Sequence, residues 1–126
     1  MHRFTLDWPP TVNTYWRQYV TKGVARVLLS ERGRKYKERA ALQLMSQGVV
    51  RELQGRVSVL IDAYVPDYRK RDLDNILKPL LDVMEDYGVF EDDEQIDILT
   101  VRRRNKEKPG RVDIQVEEID PDDSLY

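Results

Sequence analysis

A change of hydrophobic period across Pro66 constrains this chain more than any other feature. Val57, Val59, Ile61, Ala63 and Val65 alternate with Ser58, Leu60, Asp62 and Tyr64, the period of a strand with one face on a core. Beyond the proline, Leu73, Ile76, Leu77, Leu80, Leu81 and Met84 recur at helical spacing and Gly88 closes the run, so a buried helix is expected to begin near Asp72 or Asp74. Pro79 conflicts with that start, because its ring would crowd the carbonyl of Asn75. A kink or a later start must follow.

The flanking segments supply the rest of one core. Phe4 to Trp8 reads as a short strand stopped by Pro9-Pro10, and Tyr15 to Leu29 as a hairpin turning at Lys22-Gly23. Ser30 can cap a helix that carries Tyr36, Ala40, Ala41 and Leu44 at helical spacing and ends at Gly48. Ile96 to Arg104 and Val112 to Ile119, separated by Lys108-Pro109-Gly110, read as a strand pair. At 126 residues the chain fits one domain. The expected domain runs over 1–119, and the acidic, apolar-poor segment 120–126 is expected to be a disordered tail.

Composition narrows the chemistry. No cysteine is present, which removes thiolate nucleophiles and the usual zinc sites and leaves oxygen ligands suited to magnesium or manganese. The one histidine is His2, beside the terminus, which argues against an imidazole base. No apolar stretch approaches the ~20 residues that span a bilayer, and the amino terminus lacks a secretory apolar run. No membrane partner is expected, and the location is expected to be cytoplasmic.

The net charge of -2 hides a segregation of sign. Arg17, Lys22, Arg26, Arg32, Arg34, Lys35, Lys37 and Arg39 meet only Glu31 and Glu38 in their segment, and Arg102, Arg103, Arg104, Lys106, Lys108 and Arg111 form a second basic block. Between Lys78 and Arg102 there is no Lys or Arg, while Asp82, Glu85, Asp86, Glu91, Asp92, Asp93, Glu94 and Asp97 accumulate. An acidic centre between basic arms suits a phosphodiester polymer held by cations and attacked at a metal. Arg32, Lys35 and Arg39 line one stripe of their helix, either as a solvated face or as a phosphate-facing one. Arg17, Arg69, Lys70, Arg71, Lys106 and Lys108 complete the candidate DNA-binding set.

Arg71-Asp72-Leu73-Asp74-Asn75, with Lys78 after it, is the candidate reaction centre. Two carboxylates about 4 Å apart repel by roughly 4 kcal/mol at an effective dielectric near 20, a cost that a divalent cation turns into attraction. Asp72 and Asp74 share a face only where extended chain turns into the helix; the competing reading of either is a helix N-cap. Asp92 and Asp93 follow the helix by a length that lets the chain double back toward its start, or they belong to a solvated turn, the reading favoured for Glu91 and Glu94. An EF-hand starting at Asp72 fails, since it would need glycine at Leu77 and an acid at Val83. Lys78 can pair with Asp74 one turn back or reach a scissile phosphate.

Arg71-Asp72-Leu73-Asp74-Asn75-Ile76-Leu77-Lys78, Leu80-Leu81-Asp82, Asp92-Asp93-Glu94-Gln95-Ile96 and the opening Pro9-Pro10-Thr11-Val12-Asn13-Thr14-Tyr15-Trp16-Arg17 together resemble the RusA family of Holliday-junction resolvases. The resemblance implies an α+β single domain, a mixed β-sheet of about four to five strands against two main helices. It implies a homodimer that cuts four-way DNA junctions with Mg²⁺ or Mn²⁺ and no organic cofactor. Asp72, Asp74 and Asp93 would then be the metal-binding catalytic acids and Lys78 the catalytic lysine, with Asp92 unassigned. Two further activities stay open: a less selective flap or fork nuclease, and a non-catalytic DNA-binding protein. Tyr15 and Trp16 either stack on unpaired bases or pack in the core.

Overall fold

The computed structural model describes residues 1–122, and within them the change of period across Pro66 becomes a strand, a crossover helix and a parallel strand. β1 (His2–Asp7) leads through a single helical turn, α1 (Val12–Tyr15), into a ribbon of β2 (Trp16–Thr21) and β3 (Val24–Leu29). α2 (Glu31–Ser46), β4 (Val57–Tyr64), α3 (Leu77–Asp86), β5 (Ile96–Arg104) and β6 (Arg111–Glu118) follow. The main sheet has four strands in the order β1-β6-β4-β5, and β2-β3 stand apart as a second sheet. β4 runs parallel to β5 and antiparallel to β6, so the sheet is mixed.

Burial follows the alternation. Val57, Val59, Ile61 and Ala63 are fully buried against α2 and α3 with Leu80, Val83 and Met84, while Ser58, Leu60, Asp62 and Tyr64 occupy the other, partly open face. The expected pairing of the last two strands is corrected here: β5 and β6 both form, but β4 lies between them and neither pairs with the other. A parallel partner reached through α3 and an antiparallel partner on the other side make β4 one of the two interior strands, which suits the most continuously apolar face in the chain.

The start of α3 resolves the conflict at Pro79. A 3₁₀ turn, Leu73–Ile76, precedes α3, and the α-helix proper begins at Leu77. Pro79 is thereby its third residue, where the missing N–H has no carbonyl to reach. The hairpin turns as expected, with Lys22 and Gly23 both at positive φ, 52° and 74°, the backbone that two-residue turns between twisted strands require. Ser30 caps α2 by accepting a bond from the Gly33 amide at 2.9 Å.

Gly33 also sets how closely α1 approaches α2. A Cβ there would lie 2.2 Å from the Tyr15 carbonyl oxygen, and the Ser30 amide donates to that same oxygen at 2.9 Å. At the carboxy end, Asp120 to Asp122 close a turn through the Asp122 amide and the Asp120 carboxylate, 2.9 Å apart. The remainder of the expected tail, 123–126, lies outside the described residues.

Candidate functional site

A braced loop delivers Asp72 to the head of α3. After Pro66, the Asp67 carboxylate pairs with the Arg71 guanidinium at 2.7 Å and accepts the Arg69 amide at 2.8 Å. Arg71 also lies 5.8 Å from the centroid of the Trp8 ring, and Arg103 donates to the Arg71 carbonyl at 2.6 Å. Arg71, expected among the DNA contacts, is thus half-buried and engaged within the loop. Its hydrogen bond, followed by the Arg69 amide, draws the Asp67 carboxyl down to about 2.

The sign of that shift fixes a pH window. A depressed folded pKa means the Asp67 contribution to stability is intact above the ordinary value of 3.8 and is lost as pH falls through about 2. Carboxyl-carbon NMR should find Asp67 titrating well below exposed aspartates, and Arg71→Met should return it toward 3.8.

Just past this loop, three charged side chains have no protein partner among the described residues. Asp72 occupies the N-cap position of the 3₁₀ turn with extended backbone, φ -92° and ψ 134°, yet its side chain makes no capping bond. The cap reading of Asp72 is therefore not met. Asp74 sits in the first turn, exposed, and Lys78 is exposed in the first turn of α3. Among the described residues, Asp72, Asp74 and Lys78 enter no ion pair, whereas Asp62, Asp67, Asp82, Asp86 and Glu94 each have a basic partner. The pairing of Asp74 with Lys78 is absent from that set.

The turn before β5 divides its acids by role. Asp92 caps the 3₁₀ turn Asp93–Gln95, accepting the Glu94 amide at 2.9 Å while Gln95 accepts the Asp92 amide at 3.0 Å. Glu94, expected to be merely solvated, pairs with Arg56 at 3.1 Å. Asp93 is exposed, and its amide donates to the Glu85 carboxylate at 3.1 Å. Carboxylate oxygens of Glu85, Asp92 and Asp93 lie within 4.8 Å of one another.

The fold thus brings Asp93 to Lys78, since both line a cavity of about 190 Å³ with Trp16, Leu81, Asp82 and Glu85. Asp72 and Asp74 are not in the carboxylate group with Asp93. α3 runs between the two acidic ends: at about 1.5 Å rise per residue, Leu77 and Glu85 are already roughly 12 Å apart along the axis. In the sequence Glu85 counts only toward the acidic run and not among the candidate ligands, although it lies on the same helical stripe as Lys78, seven residues on. The donors at both ends are carboxylates alone, a hard-oxygen set that fits Mg²⁺ or Mn²⁺.

Under the cavity runs a three-element tie. Tyr15 of α1 is fully buried, and its hydroxyl donates to Asp82 at 2.6 Å. Lys37 of α2 pairs with Asp82 at 3.4 Å and with Asp86. Burial, then the hydrogen bond to Asp82, pushes the Tyr15 phenol far up. For Lys37, burial works against the charge, but the contacts with Asp86 and Asp82 outweigh it and raise its pKa. Tyr15 is core, whereas the half-buried Trp16 also lines a cleft with Val12, Asn13, Arg17, Gln18, Val27 and Lys78.

The remaining candidate cations divide similarly. Arg17, Arg32, Lys70 and Lys108 are exposed, and none of them enters an ion pair among the described residues. Lys35 pairs with Glu31 at 3.2 Å, Arg39 with Asp7, and Arg69 loosely with Asp67 at 3.9 Å. Lys106 stands 4.6 Å from the centroid of the Tyr68 ring. The Arg32, Lys35 and Arg39 stripe is thus partly neutralised by local acids.

Comparison with known proteins bears directly on this arrangement. The family model described as endodeoxyribonuclease RusA matches residues 7–117. The crossover junction endodeoxyribonuclease rusA of Enterobacteria phage HK97 is 38% identical, over 94% of this chain and 96% of that protein. The proteins of the same printed name from Enterobacteria phage 82 and from Escherichia coli strain K12 are each 30% identical, over 94% of this chain and 95% of theirs.

Proposed function

The chain belongs to the RusA family of endodeoxyribonucleases, and from that premise we propose that it is a metal-dependent endodeoxyribonuclease resolving four-way DNA junctions in recombination and repair by paired, symmetric phosphodiester hydrolysis. The observation that carries this reading is the trio Asp72, Asp74 and Lys78, charged, exposed and without partners among the described residues at the head of a buried helix. Two carboxylates at the head of one helix repel each other and repel phosphate, and a passive DNA-binding protein has no use for them there.

Asp72, Asp74 and Asp93 would hold Mg²⁺ or Mn²⁺, with Glu85 beside Asp93 as an added oxygen donor. When bound, such an ion neutralises phosphate oxygens and lowers the pKa of a coordinated water. Lys78 is placed to meet the negative charge that grows on the phosphate or the leaving oxygen. Arg17, Arg32, Lys70 and Lys108 supply contacts to the DNA backbone that carry little sequence information. No helix among the described residues is long and apolar enough to cross a membrane, and we place the protein with its DNA in the cytoplasm.

Two symmetric cuts call for two active sites related by a two-fold axis, hence a homodimer. The dimer has a further role if each site is shared, with Asp72 and Asp74 of one subunit meeting the partner subunit's Asp93. Subunit mixing tests this. Asp74→Asn and Asp93→Asn, each inactive alone, should regain nicking of a junction when exchanged into heterodimers, because one of the two sites then holds only wild-type acids. Heterodimers that form and stay inactive would place each site within a single subunit.

A further inference from the structure

We propose that Tyr15 and Lys37 are positioning residues that keep the Asp82 carboxylate from pairing with Lys78, so that the Lys78 ammonium meets the scissile phosphate unpaired; this rests on the assignment of Lys78 above. Lys78 has an acid one helical turn away in each direction, Asp74 and Asp82, the spacing at which ion pairs form on helices. Asp82 lines the same cavity as Lys78. Yet the Asp82 oxygen Oδ2 receives both the Tyr15 hydroxyl, at 2.6 Å, and the Lys37 ammonium, at 3.4 Å.

The two partners come from α1 and α2 and approach from the side of α3 that faces the core. Lys37 is only 17% exposed and Asp82 29%, so the pair is largely shielded from solvent. Tyr15 has no exposed surface, and its hydroxyl has no water to turn to. A lysine already bound to a carboxylate presents little net charge to a phosphate and must break that pair before it can act. The tie therefore does for Lys78 what an unpaired location does for Asp72 and Asp74.

Rescue distinguishes this role from mere bracing of three helices. Lys37→Met should cut a four-way junction about tenfold more slowly with junction Kd within about twofold, the loss of a charge contact made at the transition state. Adding Asp82→Asn to Lys37→Met should restore most of the rate, since the acid that captures Lys78 is gone. In the DNA-free and metal-free protein, the two Lys78 ε-protons should become resolved by NMR in Lys37→Met, as expected for an ammonium fixed in a pair, and merge again in the double variant.

Tyr15→Phe, which removes only the hydroxyl, should move both readouts in the same direction by less. The inference is overturned if folded Lys37→Met and Tyr15→Phe cut like the wild type, or if the double variant stays as slow as Lys37→Met. Lys78→Met serves as the reference: if it cuts normally, the assignment of the lysine has failed; if it is inactive while Lys37→Met is unimpaired, this inference alone has failed.

Discussion

Asp74→Asn should bind a four-way junction as the wild type does and cut it at least about a hundredfold more slowly, the scale on which loss of a charge-stabilising group at a reacting phosphate is felt. The substitution is nearly isosteric, and Asp74 is exposed with no ion-pair partner among the described residues, so folding loses little. Removing one of two neighbouring carboxylates should instead raise the metal-free melting temperature slightly. Added Mg²⁺ should raise the wild-type melting temperature with concentration, as a ligand of the folded state does, and raise that of Asp74→Asn far less. Unimpaired cleavage by the variant would remove Asp74 from the reaction.

Gly33→Ala should be the most disruptive single methyl group among the described glycines. The new Cβ would fall 2.2 Å from the Tyr15 carbonyl oxygen, with the Tyr15 carbonyl carbon at 3.2 Å and Ser30 Oγ at 3.3 Å. The first two neighbours are backbone and cannot rotate aside. α1 must move, and the Ser30 amide bond to that carbonyl must lengthen. Overpacking costs about 1–3 kcal/mol or more, against roughly 1 kcal/mol of helix propensity gained on leaving glycine. A net loss of about 2 kcal/mol is expected, a fall in melting temperature of roughly 5–15 °C for a domain of this size. Lys35→Ala, on the solvated side of the same helix, should stay within about 0.5 kcal/mol of the wild type. Because Tyr15 and Trp16 follow α1, cleavage by Gly33→Ala should fall too.

What could be read before the fold was known depended on whether the information was local. The alternation around Ile61 and the helical spacing around Leu80 are carried by adjacent residues, and both elements form where they were expected. Pro79 even placed the later start of α3, because its steric conflict is with its own preceding turn. Strand pairing is different: nothing in Ile96 to Arg104 states that its neighbour is β4 and not β6, since pairing follows from which strand needs both edges covered. Gly33 carries no local mark of its role, because its reason for being glycine is a carbonyl eighteen positions earlier.

The site shows the same division. Asp72, Asp74 and Lys78 stand out in sequence because acids cluster beside a lysine in a basic stretch, and the fold leaves those three unpaired. Asp92 and Asp93 are indistinguishable as letters, and only the turn before β5 makes one a cap and the other a free carboxylate. Glu85 depends on the turn before β5 folding back onto α3, and the Tyr15–Asp82–Lys37 tie on three helices meeting, which no spacing within one segment reveals.

Everything proposed for this site requires that the partnerless acids around Lys78 bind a divalent ion. Crystals soaked in Mn²⁺ and measured at the manganese edge probe that requirement without recourse to activity. Anomalous density is expected between Asp72 or Asp74 of one subunit and Asp93 of the same subunit or the partner. Manganese bound only at other residues, with these carboxylates left bare, would refute it.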